Sequence, residues 1–189
     1  MVSNLLTRFK EDNPDYILMI VEYPDKITES KLAENKTDIA FITGPIFHQD
    51  IQSKILCEEE CFVCVPNNHP FAEKTTIQFD DLIEERFLTM NDEYKTYDCY
   101  VRHMNEKSSS PKIVFSASTL AGLKEALILN QGITIINPQY DICPPNFVKV
   151  KCEGIGNWRL SIAINKTNST KATLKLYHYV LDNKHLISY

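Results

Sequence analysis

The chain has 189 residues, of which 43% are hydrophobic and 24% charged, enough material for one large domain or two lobes with a well-formed core. Its 20 Lys and Arg face 25 Asp and Glu, for a net charge of −5; the cations are scattered, so this stretch of chain is not expected to grip nucleic acid by itself. No apolar run approaches the ~20 residues of a membrane span, and Met1-Val2-Ser3-Asn4 lacks a basic-then-apolar leader, so the expected address is cytoplasmic.

In chain order, Leu5, Leu6 and Phe9 fall at helical spacing and predict a helix over 4–11, ended by Asn13-Pro14. The Ile-, Val- and Tyr-rich run 16–23 reads as a strand, 25–35 as a short surface helix, and Asp38-Ile39-Ala40-Phe41-Ile42 as a compact strand that stops at Thr43-Gly44-Pro45. One long strand is expected over 53–66, broken by Asn67-Asn68-His69-Pro70. The order then restarts: strand 87–90, helix 94–107, strand 111–115, helix 118–130 and strand 132–137. Strands 147–151 and 158–165 and a last helix over 170–182 complete the chain.

This alternation predicts an α/β fold with largely parallel sheets, arranged as two Rossmann-like lobes. Lobe I is expected over 1–67 and 163–189, and lobe II over 68–162. A chain that crosses between two such lobes and returns leaves a central cleft, where strand carboxyl ends and helix N-termini gather. The first lobe opens on a helix and the second on a strand. If the two are built alike, a strand belonging before Ser3 lies outside this chain.

The six cysteines include the cluster Cys57, Cys61 and Cys64. On one strand, Cys57 and Cys61 face one side and Cys64 the other, so they cannot converge on an ion. Thiols buried or half-buried in the core are expected, with no metal and no cofactor. His48, His69, His103, His178 and His185 show no ligand spacing. No nucleophile elbow, phosphate loop or zinc-protease motif is present, so catalysis is not expected. The run Glu58-Glu59-Glu60 is better placed at a strand entrance than in acid–base work.

Four motifs, in order and spanning nearly the whole chain, carry a resemblance. They are Phe9 with Asn13-Pro14, Asp38-Ile39-Ala40, Glu60 through Val65-Pro66 to His69-Pro70, and Gly132-Ile133 through Asn137-Pro138. Together they resemble the effector-binding domain of LysR-type transcription regulators. The second glycine of the family's GxG pattern is absent, since Thr134 follows Ile133.

The resemblance implies the type-2 periplasmic-binding-protein fold, with a small effector held between lobes. It also implies a homodimer or tetramer, and DNA contact only through a winged helix-turn-helix domain that precedes this part of the protein. Ligand-binding positions carried over from the family are Ser3 and Asn4 ahead of the first helix, Thr43 and Gly44 after the Asp-Ile-Ala strand, and Ser118 and Thr119 opening the second-lobe helix. Thr96 and Asn137 join them. Hydroxyls beside unpaired helix-start N–H groups favour an anion. The same residues also serve as plain helix caps or turn formers. Paired lobe edges, one lobe against the partner's other lobe, are the implied dimer contact. The competing reading is a solute-binding protein of a transport system, which has the same fold.

Overall fold

The computed structural model describes residues 2–129, 131–137 and 142–187. Its elements run α1 (Ser3–Asp12), α2 (Asp25–Ala33), β1 (Ile39–Thr43), β2 (Ile51–Glu60), β3 (Phe62–Pro66), β4 (Thr76–Gln78), β5 (Phe87–Met90), α3 (Lys95–Glu106), β6 (Ile113–Ala117), α4 (Leu120–Ile128), β7 (Thr134–Ile136), β8 (Phe147–Glu153), β9 (Asn157–Asn165) and α5 (Lys171–Asp182). Two compact units emerge, one of Met1–Glu58 with Arg159–Tyr189, the other of Glu59–Trp158.

In the first unit β9 is the central strand, with β1 and β2 on either side. Period-2 alternation along β9 sends Ile162 and Ile164 to one face and Ala163 to the other. Leu5 and Phe9 of α1, and Leu176, Tyr177 and Val180 of α5, cover the first face. Leu32 of α2 covers the second, against Ala40 and Ile42 of β1. The helical spacing in α1 therefore has the burial it predicts, since Leu5 and Phe9 are fully buried.

The second unit repeats this logic around a longer sheet, β4-β8-β3-β7, extended by the pair β5-β6. An isolated parallel bridge between Phe87 and Ile133 joins the two parts, and the Thr134 hydroxyl donates to the Leu88 carbonyl at 2.7 Å. Val63 and Val65 of β3 point toward Tyr100 and Met104 of α3. Cys64 points the other way, toward Leu123, Ala126 and Leu127 of α4. Gly132 has a steric reason: a Cβ there would lie 2.2 Å from the Arg86 carbonyl oxygen. That close approach lets the Ile133 N–H donate to the same oxygen at 2.9 Å and sets β7 beside β5.

Three expectations need correction. The run 16–23 forms no strand; Ile17 is 92% and Met19 88% exposed. Its β-propensity is high, but a strand exists only with a ladder partner, and no described strand pairs with it. Tyr16 and Leu18 pack partly on the α1–α5 face instead. The long strand over 53–66 is two strands that join different sheets, β2 beside β9 and β3 between β7 and β8, with the change at Cys61. The sheets are also mixed rather than largely parallel. β1–β9, β3–β7 and β3–β8 are antiparallel, whereas β4–β8 and β5–β6 are parallel.

Candidate functional site

In the second unit, β5 and β6 run parallel and in register from Leu88 opposite Phe115 to Met90 opposite Ala117. Their carboxyl ends therefore lie side by side, and each feeds a helix: β5 leads into α3 and β6 into α4. The Asn91 N–H donates to the Ala117 carbonyl at 2.7 Å, and the Tyr94 hydroxyl donates to the Ser118 carbonyl at 3.3 Å. Two helix N-termini are thus tied together at one end of the sheet. Because Phe87 bridges Ile133 in parallel, β7 ends on the same side, at half-buried Asn137.

Thr119 caps α4, its Oγ1 accepting the Gly122 N–H at 3.1 Å. This is the N-cap geometry the sequence suggests, and it uses one hydroxyl lone pair while leaving the O–H as a donor. Ser118 is exposed one position earlier, and Thr96 is exposed at the second residue of α3. Helix α3 starts without a side-chain cap from Tyr94. First-turn amides at both helix starts give this end a positive partial charge. Lys95, which opens α3, is 5% exposed. Neither Tyr94 nor Lys95 was singled out from sequence. The signal for both was a polar residue at a helix start, visible only once β5 and β6 are known to be parallel neighbours.

The first unit places its expected residues differently. Thr43 ends β1, and its hydroxyl donates to Asp25 Oδ1 at 2.5 Å. The Gly44 N–H donates to the Arg159 carbonyl at 3.1 Å, and the Gly44–Pro45 peptide bond is cis. Glu29, 7% exposed, accepts the N–H groups of Phe47 and His48 at 2.6 and 2.7 Å. The turn after β1 is therefore organised around two carboxylates from α2. Ser3 and Asn4 do not precede α1; they are its first two residues, exposed, and Val2 at the cap position offers no side-chain hydrogen bond.

Thiol chemistry is spread over the second unit. Burial pushes the Cys61 thiol up to about 11 and the Cys152 thiol up to about 12, and it raises Cys99 as well. Among the described residues, no group of three or more His, Cys, Asp or Glu side chains is placed to hold a metal ion. No described helix is long and apolar enough to cross a membrane.

Residues 1–168 match the family model described as the LysR substrate binding domain. Over 133 residues the chain is 23% identical to the HTH-type transcriptional regulator CysL of Bacillus subtilis, an alignment covering 70% of this chain and 44% of that protein. The chain spans about half the length of the curated relatives it matches. Among solved structures, it resembles the regulatory domain of Synechocystis PCC6803 CcmR in complex with 2-PG, with a TM-score of 0.83 at 14% identity, covering 98% of this chain and 92% of that one. The effector binding domain of QuiR in complex with shikimate gives a TM-score of 0.83 at 18% identity, covering 100% and 92%. The fold is thus the mixed α/β, type-2 periplasmic-binding-protein-like fold of such domains.

Proposed function

The chain belongs to the LysR substrate binding domain family, and from that membership we propose that it is the effector-sensing part of a DNA-binding transcription regulator, responding to a small anionic metabolite. The match of residues 1–168 carries the regulatory reading. It also favours a regulator over a transport receptor, since the relative CysL is a transcriptional regulator. DNA contact belongs to a winged helix-turn-helix preceding this part of the protein, and the cytoplasm is its place of action.

The anionic character rests on the second unit. Two helix starts meet at the carboxyl ends of β5 and β6, tied by Tyr94 and Ser118, with the hydroxyls of Ser118 and Thr119 opening α4 and with Asp92 and Glu93 in the turn before α3. Ser118 and Thr119 are assigned to the ligand's charged group, with Thr96 and Asn137 at the margin of the same sheet end. Shikimate, the molecule bound by QuiR, carries a carboxylate, the class of group proposed for this site. Thr43 and Gly44 are assigned to shaping rather than to charge recognition, because Thr43 already donates to Asp25. Ser3 and Asn4 retain only the exposed first turn of α1 as a place to meet a ligand.

Thermal-shift measurement against small carboxylates, sulfate and phosphate tests this assignment. An anion present at a hundred times its Kd stabilises by about 2.7 kcal/mol, a rise in Tm of roughly 5–10 °C for a chain of this size. Ser118→Ala and Thr119→Ala should each shrink that rise. If no anion stabilises the wild type, or stabilisation survives both substitutions, the site is misassigned.

Self-association is the second part of the proposal. Ile17, Met19 and Ile20 are exposed in the run that follows α1, and edge strand β6 shows Val114 and Phe115 to solvent at 43% and 39%. Covering these apolar residues and the β6 edge with a second copy removes them from water. A strictly monomeric species in sedimentation at micromolar concentration would overturn it.

A further inference from the structure

The second unit brings together two cysteines far apart in sequence. Cys64 Sγ lies 2.6 Å from Cys143 Sγ, across a separation of 79 residues. Cys64 sits at the middle of β3, fully buried, in register with Thr134 of β7 and Lys149 of β8. Cys143 is half-buried and lies between Ile142 and the start of β8, packed on the same apolar cluster under α4. We propose that Cys64 and Cys143 form a reversible dithiol–disulfide pair, oxidised by peroxide, that staples the approach to β8 onto the centre of β3.

Two observations separate this pair from the other four cysteines. The two sulfurs are within about an ångström of bonding distance, so only a small approach of the two side chains is left for the bond to close. One partner reaches solvent and the other does not, which gives an ordered reaction: a thiol that meets oxidant and a second thiol held ready to resolve it.

The chemistry balances with hydrogen peroxide as oxidant. The Cys143 thiolate attacks one peroxide oxygen, the O–O bond breaks, and the leaving hydroxide takes up the thiol's proton as water. Cys143 is left as a sulfenic acid. Cys64 Sγ then attacks Cys143 Sγ, the S–O bond breaks, and the departing hydroxide takes the Cys64 proton as a second water. Two thiols lose two electrons and two protons, and one peroxide becomes two waters. A small dithiol reverses the bond by exchange and is itself oxidised to a disulfide.

The test uses the whole chain, treated with hydrogen peroxide and then counted for thiols under denaturing conditions. The expected result is a fall from six thiols to four, with loss of the mass of two hydrogen atoms. Non-reducing peptide mapping should join Cys64 to Cys143 within one chain. Closing so long a loop should raise Tm by roughly 5–10 °C, and dithiothreitol should restore the original value. Cys143→Ser should abolish the cross-link and the rise, whereas Cys61→Ser and Cys99→Ser should leave both intact. Cys143 is half-buried, so its serine variant keeps the test usable if Cys64→Ala does not fold. The proposal is overturned if all six thiols survive, if the cross-link joins other cysteines or two chains, or if Cys143 proceeds to sulfinic acid without one.

Discussion

The two units both end strands beside helix starts, yet they hold those ends together by different contacts. In the second unit, Thr119 caps α4 with a neutral hydroxyl and Tyr94 ties α3's start to Ser118. In the first, α2 supplies Asp25 to Thr43 and Glu29 to the backbone of Phe47 and His48. The amide donors there already have a resident anion. On the proposed reading, the second unit is the one that meets an external anion, and in the first the carboxylates of α2 shape the turn after β1.

The sharpest way to break the comparison is Glu29→Ala. It strips the amides of exposed Phe47 and His48 of their charged acceptor and should cost about 2 kcal/mol in urea denaturation, while leaving the anion-induced rise in Tm in place. Thr43→Val should cost about 1.5 kcal/mol, because the lost bond was to a carboxylate. If it also abolishes anion stabilisation, the division of labour between the units is wrong. Thr119→Ala should cost only about 1 kcal/mol, the value of a helix cap, yet it should depress the response to anions most. The smallest effect belongs to Asp80, whose carboxyl is held below its ordinary range by Lys107 at 2.7 Å and His103 at 3.0 Å. A carboxyl depressed in the folded state stabilises above its unfolded pKa, and that contribution is lost as pH falls through the folded one. Asp80→Asn should therefore flatten the acid limb of a stability–pH profile slightly and leave neutral-pH ligand response unchanged.

Much of the fold was legible because burial enforces a period. Leu5 and Phe9 sit one turn apart and are buried; Ala40 and Ile42 alternate along β1 and are buried on one face. The Thr119 cap was legible for the same kind of reason, since capping is a contact between near neighbours. What failed was non-local. Residues 16–23 have strand chemistry without a partner, and nothing in their own order reveals that. The change of sheet at Cys61 depends on β9 and β8 being available to β2 and β3, although both lie about a hundred residues later. Ser3 was misjudged by a single position, as helix boundaries often are. The Cys64–Cys143 pairing had no signal at all, because spacing says nothing about a contact made across a sheet.

The central place of β9 has a consequence for the order in which this protein comes into being. Strands β1 and β2 flank β9 in one sheet, but a ribosome releases them roughly a hundred residues ahead of it. At ordinary synthesis rates they wait on the order of 5–20 s with bare hydrogen-bonding edges. The second unit is contiguous, Glu59–Trp158, and has its own strands and helices in hand before β9 is complete. Vectorial synthesis therefore favours a nascent chain whose middle folds first and whose two ends meet last. A mutation that slows the closing of β9 should show itself as aggregation during expression well before it shows as a loss of stability in the finished protein.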